Sequence, residues 1–327
     1  MSTYENLHGR RVNVVSSNPS NPKEGEVWYN STLGQLKGYV LGVASWSSGD
    51  NLTTGRYSLG GTGTNTAALA ISGQTSPGVY TSSTEEYDGT SWTNGGAVGA
   101  ARYTMAAGGT QTAAIISMGF ISGSAITTTE YYNGTSWSPN TSSNDNRTNL
   151  GSGGTQTAFL AFGGSESPGT SAATEEWDGS SWTSGGNLGT ARYQLSGNNV
   201  GTQTAGLCVG GFASTVAKNN VEEYGGTSWS TGGALPTAEG NAARYGTQTA
   251  AAIAGGGPGP GPNTASKHYD GTSWTTVASL ATGRSQLAAS QSSQTAGVVF
   301  GGGTSPTPWV STEEFSAAVE TKTLTTS

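Results

Sequence analysis

The stretch Thr84-Glu85-Glu86-Tyr87-Asp88-Gly89-Thr90-Ser91-Trp92 returns as Thr129-Glu130-Tyr131-Tyr132-Asn133-Gly134-Thr135-Ser136-Trp137 and as Thr174-Glu175-Glu176-Trp177-Asp178-Gly179-Ser180-Ser181-Trp182, with further copies ending at Trp229 and Trp274. A sixth Ser-Trp, at Trp46, has no such stretch before it. The six tryptophans, Trp46, Trp92, Trp137, Trp182, Trp229 and Trp274, lie 45 to 47 residues apart, the signature of a repeated structural unit. The Asp-Gly, Asn-Gly or Gly-Gly between the aromatic and the tryptophan marks a tight turn, so each stretch reads as two short strands joined as a hairpin.

A second marker, Thr/Ser-Gln/Asn-Thr-Ala, ends at Ala67, Ala113, Ala158, Ala205, Ala250 and Ala296. From there to the next tryptophan is 24 or 25 residues, so both markers belong to one unit. The alanine opens an apolar run closed by glycine, such as Ala68-Leu69-Ala70-Ile71 before Gly73 or Phe159-Leu160-Ala161-Phe162 before Gly164. An unbroken apolar run of that length is a strand buried on both faces. Ten residues past the tryptophan stand Arg56, Arg102, Arg147, Arg192 and Arg284, followed by another short strand. Four strands per 45 residues, without helical periodicity, describe a propeller blade.

Composition agrees with display more than with chemistry. Only 10% of residues are charged and the net charge is -7, while glycine takes 53 of 327 positions. Leu, Ile, Val and Phe make up about one residue in seven, which approaches the disorder range, but the high net charge of disordered chains is missing. No apolar stretch long enough to span a membrane occurs, no secretory signal is visible after Met1, and the acidic balance argues against nucleic acid. A single Cys208 forms no internal disulfide and no thiolate metal site.

The double glycine after the second strand, the Tyr-Asp ending the third and the tryptophan of the fourth resemble a kelch repeat over residues 43 to 324. The turn between aromatic and tryptophan is tighter than kelch repeats generally have. A WD40 pattern is the alternative, but no Gly-His or Trp-Asp pair falls in register. The resemblance implies an all-β, six-bladed kelch-type β-propeller. Position 320, where the last unit needs its tryptophan, is Glu320, so residues 43 to 48 are expected to complete the last blade and close the ring; the place of residues 319 to 324 stays open. The Asp-Gly-Thr-Ser-Trp segments also look like sialidase Asp boxes, yet Asp88, Asp178 and Asp270 stand four residues before tryptophan where the box needs five. Galactose oxidase shares the kelch scaffold, but two histidines, His8 and His268, and one buried cysteine do not make its copper site. No metal, cofactor or catalytic residue is expected.

The charges repeat too. About 28 to 30 residues after each of the five arginines the same unit has glutamate: Glu85 and Glu86, Glu130, Glu175 and Glu176, Glu222 and Glu223, Glu313 and Glu314. In the remaining unit both signs invert, Glu239 standing against Lys267-His268. A double inversion in one copy implies that these positions meet in space, within a blade or across a blade boundary. The segments between second and third strands, 74–83, 120–128, 165–173, 212–220, 257–267 and 303–311, vary most between copies. They carry Tyr80, Phe120, Phe212 and Trp309, the candidate ligand-binding residues, because variable loops with aromatics on a rigid scaffold read as a recognition surface.

Residues 1 to 42 lie outside the repeat and form a first domain, with the propeller over 43 to 327. A linker around Pro19 and Pro22 precedes two alternating segments, 25–30 and 35–40, read as a hairpin. The run Asn21-Pro22-Lys23-Glu24-Gly25-Glu26-Val27-Trp28-Tyr29-Asn30 is similar to a short module near the N-termini of bacteriophage virion proteins, and the Gly-Thr-Gln-Thr-Ala repeats resemble kelch-like virion proteins of marine phages. That resemblance implies a non-enzymatic virion protein, a tail-fibre or tail-tip adhesin or a head fibre or decoration, made in the host cytoplasm. Residues 1 to 42 would hold other virion proteins and the propeller would meet host-surface glycans or proteins. The low-charge surface suits salt water, where charge pairs are screened. The alternatives are a glycan-degrading enzyme on the same scaffold, needing an acid pair that the scattered Asp145, Glu166 and Glu239 do not supply, and a cellular kelch scaffold for protein peptides.

Overall fold

The computed structural model describes residues 5–7, 10–19, 26–41, 44–167, 169–195, 200–257, 262–304, 307–317 and 319–324. The described residues are all-β with no helix, and their main feature is a series of four-stranded, largely antiparallel sheets consistent with a propeller. Two compact units divide the chain: Trp46–Phe315, and Met1–Ser45 with Ser316–Ser327.

In the larger unit, the first sheet runs Gly60–Thr64, Ala67–Ile71, Thr84–Tyr87, Trp92–Asn94, each strand beside the next. The second (Ala106–Thr110 to Trp137–Asn140), third (Gly151–Thr155 to Trp182–Ser184), fourth (Gly201–Thr202 to Trp229–Thr231) and fifth (Ala243–Thr247 to Trp274–Val277) repeat that order. The sixth takes Ala288–Ala289, Ala296–Phe300 and Thr312–Ser316, and its outer strand is Ser45–Ser48 from the other end of the chain. The segments between second and third strands, read above only as variable, contain small hairpins of their own: Gln74–Ser76 with Val79–Tyr80, Phe120–Ile121 with Ser124–Ala125, Ser165–Glu166 with Gly169–Thr170, Phe212–Ala213 with Val216–Ala217, and Gly303–Thr304 with Thr307–Pro308. Residues 258–261 of the fifth segment lie outside the described residues.

Every second strand is buried on both faces, because successive side chains alternate. Ala68 and Ala70 pack with Val298 and Phe300 of the sixth sheet, while Leu69 and Ile71 pack with Ala114 and Ile116 of the second. The remaining clusters join sheets two and three, three and four, four and five, and five and six. At some glycines of the first strands the neighbouring sheet leaves no room for a side chain. A Cβ on Gly61 would stand 2.5 Å from the Ala289 carbonyl oxygen, and one on Gly153 would stand 2.7 Å from that of Val200. A chain poor in large aliphatics thus buries apolar surface by thinning the layer between sheets.

Polar bonds between sheets supplement this core, and they explain the two sequence markers. Each of the six tryptophans donates its indole N–H to the preceding sheet or its flanking loop: Trp92 to Thr312, Trp137 to Thr84, Trp182 to Thr141, Trp229 to Thr174, Trp274 to Gly233 and Trp46 to Ala278. The glutamine of Thr-Gln-Thr-Ala caps two carbonyls of the preceding sheet at once, Gln111 on Ala68 and Tyr87, Gln156 on Ala114 and Tyr132, Gln248 on Gly206 and Tyr224. Gln203 and Gln294 do the same.

The smaller unit is a sheet in the order Asn13–Val15, Val27–Asn30, Gln35–Leu41, Val319–Thr323. The expected hairpin is its centre, with Asn30 opposite Gln35 and Val27 opposite Gly38. Asn13–Val15 runs parallel to Val27–Asn30. Trp28 is fully buried and donates to Asn18, and the Asn30 side-chain Oδ1 accepts from the main-chain N–H groups of Thr32 and Leu33 in the turn. Val319–Thr323, whose place the sequence left open, pairs antiparallel with Gln35–Leu41. The C-terminal residues from 316 therefore group with the N-terminal segment, where the sequence division had run the second domain to 327.

Asn65 occupies the glutamine position of the first sheet, one methylene short, and makes no corresponding bond among the described residues. Asn65→Gln gives the carbonyls of Gly297 and Phe315 a donor and is expected to stabilise the protein by about 0.5–1.5 kcal/mol. Equilibrium urea unfolding measures this, and an unchanged or lower midpoint contradicts it.

Candidate functional site

The small hairpins are held at their stems by the repeated arginines. The Arg147 guanidinium donates through Nη1 to the carbonyls of Gly163 and Ala173, at 2.8 and 2.7 Å, which flank the hairpin 165–170. Its Nη2 meets Glu175 Oε2 at 2.9 Å. Arg192 repeats this on Gly210, Asn220 and Glu222, and Arg284 on Gly301, Ser311 and Glu313. Arg56 pairs with Glu85 at 2.5 Å and binds Ser83, and Arg102 pairs with Glu130 and binds Thr128. All five guanidiniums are buried. Burial drags the Arg56 pKa down to about 10 against the pull of Glu85, so the partner carboxylate is what keeps such a charge tolerable inside.

The arginine main chain belongs to the neighbouring sheet. The carbonyl of Arg102 accepts from Gly73 N–H, that of Arg147 from Gly119, that of Arg192 from Gly164, that of Arg284 from Gly256 and that of Arg56 from Gly302. Each arginine thus ties the end of one sheet's second strand to the hairpin stem of the next.

The inverted unit keeps the geometry with exchanged signs. Lys267 Nζ lies 2.7 Å from Glu239 Oε1, and the Glu239 carbonyl still accepts from Gly211. A third change accompanies the other two. In the five ordinary units the glutamate's second oxygen accepts a main-chain N–H seven residues past the tryptophan, from Thr53, Gly99, Asn144, Gly189 or Ala281. In the inverted unit that residue is Pro236, which has no N–H, opposite a lysine that could not accept one.

The next residue on the third strand forms a second set of links. Tyr132 donates to Glu86, Tyr224 to Glu176, Tyr269 to Glu223 at 2.7 Å, and Tyr87 to Glu314. Burial, reinforced by the carboxylate, pushes the Tyr132, Tyr224 and Tyr269 hydroxyls up to about 12, so they remain donors. Where the acid is replaced, the aromatic changes as well: Trp177 donates to Tyr131, and Phe315 meets His268 edge-on at 4.9 Å. This matching was present in the sequence and shows only when neighbouring copies, rather than a copy with itself, are compared.

On this frame the candidate ligand residues fall into two groups. Tyr80 is half-buried and stacked on Tyr103, with centroids 5.0 Å apart and planes 8° apart, and Phe120 meets the same Tyr103 ring edge-on at 5.5 Å. Tyr103 was not anticipated; it sits one residue after the clamp arginine and bridges to Phe120 through main-chain bonds. Phe212, expected to be exposed, is 8% exposed, because its ring covers Gly240, where a Cβ would lie 2.1 Å away. Trp309 is half-buried, its main chain bonded to Arg56 and Gly302.

The acids weighed for hydrolysis stay apart. Glu239 is committed to Lys267, and Asp145 and Glu166 are exposed on different units. Asp88, Asp178 and Asp270 are turn residues, each accepting from the main-chain N–H groups two and three residues on and from the hydroxyls of those same residues; these bonds hold Asp88 down to about 2 and lower the other two. Cys208 is buried and its thiol pushed up to about 11. Among the described residues no three His, Cys, Asp or Glu side chains gather as a metal site requires. No family model matches the chain, and no curated protein matches it.

His268 sits between two sheets, against Phe315, and carries a side chain that titrates near neutrality when the chain is unfolded. Burial lowers its pKa from 6.5 to about 4, so the unfolded chain binds the proton first as pH falls. Stability is therefore complete above about pH 6.5 and declines toward pH 4, by an amount on the order of 1–2 kcal/mol once screening of the half-buried ring is included. His268→Gln should flatten that part of the urea-midpoint curve. Parallel curves for both proteins would contradict it.

Proposed function

We propose that the six four-stranded sheets are the blades of a six-bladed, kelch-type propeller closed by Ser45–Ser48, and that the protein is a non-enzymatic bacteriophage virion protein that attaches to host-surface glycans or proteins. The closed architecture is supported by the contact sets themselves: the indole bonds, the apolar clusters and the aromatic links each run from sheet to sheet and return from the sixth to the first. The virion reading draws on the resemblance of residues 21–37 and of the repeats to phage virion proteins, with the smaller unit as the attachment to the particle.

One observation carries the recognition role. Each described hairpin stem is clamped by a buried ion pair with nearly constant geometry, whereas the residues mounted on the stems range from Gly and Ser to Tyr, Phe and Trp. A fold that fixes the stems and leaves their side chains free is a scaffold for binding specificity. Aromatic faces among hydroxyl and amide groups favour sugars as the ligand.

A glycan array probed with the full chain, followed by chromatography of the eluted saccharides, tests this. Binding with intact saccharides is the expected result. Released fragments would make the protein a hydrolase, and a blank array would exclude glycans as the ligand, leaving a protein receptor or a decoration role.

A further inference from the structure

Twelve residues past each tryptophan the chain enters the left-handed region at a residue other than glycine. Ser58, Thr104, Asn149, Gln194, Asn241 and Gln286 all have φ between 52° and 56°. Their main chains are hydrogen-bonded head to tail: Ser58 N–H to Gln286, Thr104 to Ser58, Asn149 to Thr104, Leu195 to Asn149, Asn241 to Gln194 and Gln286 to Asn241, over 2.8 to 3.3 Å. The circuit returns to its first residue, with one step taken by Leu195 beside Gln194. It forms a collar touching all six repeats.

A left-handed conformation strains any residue with a Cβ, and glycine adopts it freely. This chain holds 53 glycines and uses them at many positive-φ positions, yet none stands in the collar. All six collar residues carry a neutral hydroxyl or amide. The main-chain circuit does not need these side chains, and three of them are unused by the fold: the amides of Gln194, Asn241 and Gln286 are half-buried and make no hydrogen bond among the described residues. Strain retained in favour of unpaired polar groups marks a place where something else is bound.

The surroundings specify the chemistry. Ser58 and Thr104 directly follow Tyr57 and Tyr103, and Tyr103 is stacked on Tyr80. No collar residue is charged, and the five repeated arginines are occupied by glutamates and carbonyls. We propose that the collar, with Asn241, Gln286 and Gln194 as its free amides, is the binding site for an uncharged saccharide, whose hydroxyls match side-chain amides that both donate and accept. The proposal rests on the adhesin reading and assigns its ligand class and location.

The full chain and its Asn241→Gly, Gln286→Gly double variant are applied to one array of neutral, sialylated and sulfated glycans, and their thermal unfolding midpoints are compared. The expected result is binding of the parent chain to neutral glycans, at least a tenfold loss in the variant, and a variant midpoint equal to or above that of the parent, because glycine relieves the strain. Retained binding by the variant overturns the collar site and leaves the adhesin reading standing. A lowered midpoint assigns the side chains to the fold and overturns it, as do hits confined to charged glycans. A parent chain that binds no glycan overturns the collar site and limits the adhesin reading to a protein receptor.

Discussion

The architecture depends on a charge held where water does not reach it. A buried guanidinium is tolerable only when its donors are met and its charge balanced, and leaving such a group without its partner costs about 3–5 kcal/mol. Each clamp arginine has its charge balanced by a glutamate and its Nη1 bonded to carbonyls of one sheet, while its main chain is bonded to another. Its main chain closes the end of one second strand, and its side chain binds both stems of the next hairpin together with that sheet's glutamate. The requirement recurs at every junction, and in the fifth unit it is met with reversed polarity by Glu239 and Lys267. A lone sign change would bury two like charges, so the exchange persists only as a set.

This arrangement also accounts for the composition. With few large aliphatics, the apolar layer between sheets is thin, and glycines such as Gly61 and Gly153 let the first strands approach. Indole N–H groups, glutamine amides and tyrosine hydroxyls then link sheet to sheet. Most of these are neutral donors, insensitive to the salt that screens surface charge pairs. Twelve of the 33 charged residues are taken inside as six ion pairs, which leaves a sparsely charged surface rich in hydroxyl and amide groups.

Much of the fold was legible because it is repeated. The doubly buried second strand, the hairpin before each tryptophan, and the pairing of Arg56, Arg102, Arg147, Arg192 and Arg284 with their glutamates could all be inferred by aligning copies. The linkage of Tyr132 to Glu86, and its replacement by Phe315 and His268, was equally present in the residues, but it relates one copy to the next and needs the sheets in space to become visible. Other features had no repeating signal. Val319–Thr323 joins the N-terminal hairpin through main-chain pairing that any extended segment could make. Phe212 looked like an exposed loop aromatic because its cover is provided by the absence of a side chain at Gly240. The collar was hidden for another reason: left-handed φ at Ser, Thr, Asn and Gln leaves no mark in composition when those residues are abundant everywhere.

One buried ion pair per junction, of either polarity, holds the repeats together. A double-mutant cycle on Glu239→Arg and Lys267→Glu measures it most directly when carried out in a Pro236→Thr background, which restores the N–H that the incoming glutamate requires. Each single change should destabilise the protein by about 3–5 kcal/mol in equilibrium unfolding, and the two together should come within about 1 kcal/mol of the background. Additive losses would contradict the account.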